Sequence, residues 1–107
     1  MRESLTSVML QLERGVKVTL RDVDIESVPR DQREYMAKLK HALNEIRLDV
    51  RDYEYAETRD EQLRWAKIGQ HNLRVLNTLI LRLDSVFGPA DVAEIGARID
   101  FLQTALV

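Results

Sequence analysis

Two histidines, His41 and His71, are the side chains in this 107-residue sequence best suited to proton, phosphoryl or metal chemistry. Neither has the neighbours that such chemistry needs. No Glu-x-x-His occurs, so the carboxylate-bridged di-iron arrangement of ferritin-like bundles lacks its motif. No His-x3-His occurs either, and without cysteine there is neither a thiolate ligand nor a disulfide. Ser4, Ser7, Ser27 and Ser85 have no patterned base nearby, and no glycine-rich loop is present to cradle a phosphate. The neighbouring carboxylates Asp60 and Glu61 sit in a strongly polar stretch, which favours solvated ions over a tuned acid and base. The sequence therefore points to a protein that is not an enzyme and needs no cofactor or metal.

His71 takes part in two local patterns. His71-Asn72-Leu73-Arg74, followed by Thr78 and Ile80, resembles the phosphoacceptor box of sensor histidine kinase dimerisation domains, which runs His-Glu-Leu-Arg-Thr-Pro-Leu. That resemblance implies a helical hairpin that dimerises into a four-helix bundle. It also implies an exposed His71 that exchanges phosphate with a response-regulator aspartate. Asn72 stands where the box has its acidic residue and Leu76 where it has proline, and the match covers about a dozen residues. Arg64 and His71, with six residues between them, are similar to the Arg-x4-6-His signature of helical toxin ribonucleases. Trp65 occupies the place of the polar residue usual after that arginine.

The elements that must position these residues read as helices throughout. Leu5, Val8, Met9, Leu12, Val16, Leu20 and Val23 predict a first helix over about residues 3–27. Gly15 costs it roughly 1 kcal/mol against alanine, and Val16, Val18 and Leu20 also alternate like a strand. No other segment alternates, so a strand would lack a partner. Ser27-Val28-Pro29 then punctuate, and a second helix is expected over about 30–57. There Leu39, Ile46 and Tyr53 recur at seven-residue spacing. Thr58 and Glu61 form a capping box that breaks the chain before a third helix over about 59–87; without that break residues 30–87 would be one continuous helix. This third helix is expected to bury Trp65, Ile68, Leu73 and Leu76. Gly88 stops it and Pro89 opens a fourth over about 90–106. Gly69 suits a close helix approach, and Asn72, on or near the buried stripe, needs a hydrogen-bond partner that can fix register. The fold expected is all-α: one domain over 1–107, an antiparallel bundle of three long helices plus a shorter C-terminal one.

Seven large apolar residues fall outside the stripes that such a bundle would bury. Leu10, Val18, Ile25, Leu48, Tyr55, Leu81 and Phe101 lie opposite or aside from the roughly 100° face that a packed helix needs. Val18 and Ile25 are seven apart, as are Leu48 and Tyr55. Isolated exposed apolar side chains are ordinary, but paired lines suggest a second buried surface. Each such residue contributes roughly 1.5–3 kcal/mol when fully buried. The expected contact comprises Leu48, Tyr55, Leu81 and Phe101, with Arg74 and Arg82 steering an acidic partner.

Charge is unevenly spread. No acidic residue occurs between Gln62 and Leu83, where Arg64, Lys67, His71, Arg74 and Arg82 share the solvent side. Upstream, Asp49, Asp52, Glu54, Glu57, Asp60 and Glu61 crowd together, diluted by Arg51 and Arg59. The net charge of −2 gives no global field for nucleic acid or anionic membrane, and the basic face of the third helix carries no stacking aromatics. Nucleic acid is thus a weaker partner than protein. The first residues do not form a signal peptide, and no run approaches the roughly 20 apolar residues of a bilayer span, so a cytoplasmic location is the default. The function expected is an adaptor or small structural subunit, homodimeric or bound to an acidic protein surface. A phosphotransfer module using His71 and a nucleic-acid-binding helical protein are the alternatives.

Overall fold

In the computed structural model, which describes residues 4–107, four helices follow one another: α1 (Leu5–Arg21), α2 (Arg30–Tyr55), α3 (Arg59–Arg82) and α4 (Pro89–Ala105). The expected start of the first helix at residue 3 lies outside the described residues. Among those residues no strand forms, and Val16, Val18 and Leu20 are helical. Gly15 does not break α1. Ser4 caps it, its hydroxyl accepting from the Ser7 N–H at 3.0 Å, and the Glu13–Lys17 pair at 2.8 Å spans the glycine.

The helix ends depart from the pattern of apolar spacing. α1 stops at Arg21 and a single 3-10 turn, Ile25–Ser27, follows. Asp24 drives that stop: its carboxylate accepts from the Glu26 N–H at 3.1 Å while Ser27 Oγ donates to the Asp24 carbonyl at 2.6 Å. Local bonds of this kind compete with helix continuation. α1 is consequently 17 residues long, the same as α4, so the bundle has two long and two short helices. α3 ends at Arg82, five residues short of expectation, because Leu83 to Phe87 fold into a turn. Gln32 at the start of α2 holds that turn through Asp84 and Ser85. Gly88 has φ of −73° and caps the start of α4, where the Asp91 carboxylate accepts its N–H at 3.2 Å. It does not end α3.

The break between α2 and α3 is real. Thr58 Oγ1 accepts from the Glu61 N–H at 3.1 Å, and the Glu61 carboxylate reaches back to the Glu57 N–H.

The helices close into a ring. α2 and α3 share the most extensive interface, α1 packs on α2 and α4, and α4 packs on α3. Each neighbour runs antiparallel: Thr6 bonds Glu54 across α1–α2, Asn72 bonds Asp49 across α2–α3, and Gln70 bonds the Gln103 carbonyl across α3–α4. Leu12, Leu39, Ile46, Leu73, Leu76 and Leu102 fill the centre with no more than trace exposure. Ile68 is a correction to the expected stripe, since it sits at the edge of α3 and is 39% exposed. No described helix is long and apolar enough to cross a membrane.

Candidate interaction site

Six of the seven outlying apolar residues remain exposed: Leu10, Val18, Ile25, Tyr55, Leu81 and Phe101. The seventh, Leu48, is half-buried. Three of them converge. Leu10 from α1 meets Leu48 and Tyr55 from α2 along one open groove of about 430 Å³, floored by the buried Met9 and Val50. The pairing follows from the antiparallel α1–α2 contact, which sets the first turns of α1 against the last turns of α2. Tyr55 is the most exposed large apolar side chain described, at 80%. Thr6 Oγ1 donates to Glu54 Oε1 at 2.7 Å on the rim, and Arg47 and Arg51 complete the walls.

The same trough continues toward the other end of α1 with a different character. Lys17, Arg21, Lys40 and Arg47 surround a second cavity of about 430 Å³ over Leu20 and Leu43. Arg47 lines both halves. Glu13, the acid in this half, is occupied by Lys17. Arg47 donates to Asn44 Oδ1 at 2.7 Å, and Lys40 has no ion-pair partner among the described residues.

The remaining residues expected in the contact lie elsewhere. Phe101 lines a smaller groove of about 300 Å³ between α4 and α1, with Val8 and Ala97. Leu81, Arg74 and His71 are exposed on α3, which borders neither groove. Arg82 is already engaged, its guanidinium 5.5 Å from the Tyr35 ring centre and donating to the Tyr35 hydroxyl at 3.3 Å. The structure thus brings Leu48 and Tyr55 together with Leu10 and separates them from Leu81, Arg74, Arg82 and Phe101.

His71 faces solvent, but Asn72 beside it is turned inward and donates to Asp49 Oδ2 at 2.7 Å. Asp49, one of the acids that crowd together at the end of α2, is buried, at 3% exposure. Burial pushes its carboxyl above the ordinary value of 3.8, the Asn72 hydrogen bond opposes that rise, and Glu45 and Asp52 add to it. The spacing of Ala42, Ile46, Asp49 and Tyr53 carries the signal, because it places the aspartate on the inner stripe of α2. Gly69 does allow the close approach expected of it, since a Cβ there would stand 3.0 Å from Leu106 Cδ1 and 3.5 Å from Asp49 Cβ.

Every buried side-chain nitrogen and oxygen among the described residues has a hydrogen-bond partner, so none is left aimed into a cavity. No three His, Asp or Glu side chains among them gather closely enough to hold a metal ion. Compared with family models, curated proteins and solved structures, the chain matches none of them.

Proposed function

We propose that the chain is a non-enzymatic interaction or assembly module, an adaptor or small structural subunit, that pairs with a second copy of itself through the α1–α2 groove. The observation that carries this reading is the convergence of Leu10, Leu48 and Tyr55 from two helices onto one apolar surface. Single exposed leucines need no explanation, whereas a contiguous apolar groove with a polar rim is the usual form of a contact site. Arg47, Arg51 and Glu54 around it carry both signs of charge, which suits an isologous pairing in which the same patch faces itself. Sedimentation velocity of the purified chain over a range of concentrations tests the reading. A sedimentation coefficient that rises with concentration toward a dimer supports it; one that stays at the 12.4 kDa monomer throughout contradicts it.

A further inference from the structure

The α1–α2 trough is apolar at one end and cationic at the other, and the chain carries its own complement. Beyond Tyr55 the corner between α2 and α3 holds three acids, Glu57, Asp60 and Glu61, against one base, Arg59. All three acids are exposed. Along α2 the order is therefore cationic (Lys40, Arg47), apolar (Leu48, Tyr55), acidic (Glu57 and beyond). Lys40 lies about 17 Å from the midpoint of Leu48 and Tyr55, at 1.5 Å per helical residue, and the acidic corner lies on the opposite side of that midpoint.

We infer that the second copy docks antiparallel, with the two-fold axis passing between Leu48 and Tyr55, so that each copy's acidic corner enters the cationic trough of the other. This rests on the self-association proposed above and adds its register and its charge logic. Two arrangements can lay the apolar groove against itself. A parallel one sets Lys17, Arg21, Lys40 and Arg47 beside their own copies and the acids beside theirs, which is repulsive at both ends. The antiparallel one meets cation with acid twice, once on each side of the axis. Charge opposition of this kind fixes orientation and register more than it adds affinity. Lys40 and Arg47 are suited to the role because neither is paired with a carboxylate among the described residues.

Two doubly charge-reversed proteins test the inference by mixing. Lys40→Glu/Arg47→Glu leaves three acids, Glu13 included, against Lys17 and Arg21 in the trough, beside an acidic corner; Glu57→Lys/Asp60→Lys leaves Glu61 alone against three bases beyond Tyr55, beside a cationic trough. Each alone is expected to dimerise at least about tenfold more weakly than the unmodified chain. Mixed in equal amounts they restore a heterodimer, because each trough then meets a corner of opposite sign. The unmodified dimer is also expected to weaken with added salt, a readout that does not depend on the variants folding. Failure of the mixture to restore pairing between folded variants overturns the register. A wild-type dimer indifferent to salt overturns it equally, and both results leave the self-association standing. A wild-type chain that is monomeric throughout removes the register and the self-association together.

Discussion

Asn72 on α3 donates its side-chain amide to Oδ2 of Asp49 on α2 across 2.7 Å, joining the two longest helices at a carboxylate that is only 3% exposed. The bond is specific rather than simply stabilising. A buried carboxylate costs desolvation free energy that one amide offsets in part, and a mispaired register would leave it with no donor at all. Asn72→Leu removes that donor while keeping the branched shape of the side chain. It is expected to cost about 2 kcal/mol in urea unfolding at neutral pH, the penalty for a buried polar group left unsatisfied.

Asp49 also sets a pH dependence whose sign follows from its direction of shift. Burial raises its carboxyl above 3.8, so the folded chain holds that proton more tightly than the unfolded chain does. The contribution to stability is full below 3.8 and is lost as pH rises through the folded value. Asp49→Asn takes this group out of the titration. Its melting temperature should exceed that of the parent protein at pH 7, and the difference should shrink toward pH 4; an unchanged difference across that range would remove the account of Asp49.

The glycines separate by what a methyl group would meet. At Gly96 nothing lies within 4 Å of an added Cβ, and at Gly15 only Ile95 Cγ1 does, at 4.0 Å. Both sit inside helices, so Gly15→Ala and Gly96→Ala are each expected to stabilise by about 0.5–1 kcal/mol. Gly69 is different, because Leu106 and Asp49 close over it. Gly69→Val should destabilise by about 2 kcal/mol through overpacking, as measured by denaturant midpoints of the three variants side by side.

The segment after α4 is part of the core. Leu106 is fully buried, Gln70 Nε2 donates to its carbonyl at 2.5 Å, and the Tyr53 hydroxyl donates to the main-chain oxygen of Val107 at 3.0 Å. Leu106→Ala is expected to cost about 3 kcal/mol and Tyr53→Phe about 1 kcal/mol. Equal small effects from both would show that this segment is not held as described.

Much of the fold is legible in the sequence because it rests on short-range chemistry. Thr58 and Glu61 announce the α2–α3 break three residues apart, and the apolar stripes name most of the buried leucines and isoleucines. The helix ends are less legible. Val23, Ile25 and Phe87 keep helical spacing, yet Asp24 and the Gln32 contacts to Asp84 and Ser85 end the helices earlier. Asp49 was hidden by the acidic residues around it, although its spacing from Ile46 and Tyr53 marks it as inward-facing. Exposure of the outlying residues follows from their angle around each helix. Which of them meet does not, because Leu10 joins Leu48 and Tyr55 only once α1 is laid antiparallel to α2, while Leu81 and Phe101 are carried to other faces by α3 and α4.

We propose that the Leu10–Leu48–Tyr55 groove pairs two copies of the chain. Light scattering of the purified protein beside the Leu48→Asp/Tyr55→Asp and Leu81→Asp variants addresses it most directly. The parent chain and Leu81→Asp should scatter at twice the 12.4 kDa chain mass and the double variant at the chain mass itself. A parent chain that is monomeric, or a double variant that stays dimeric, would contradict it.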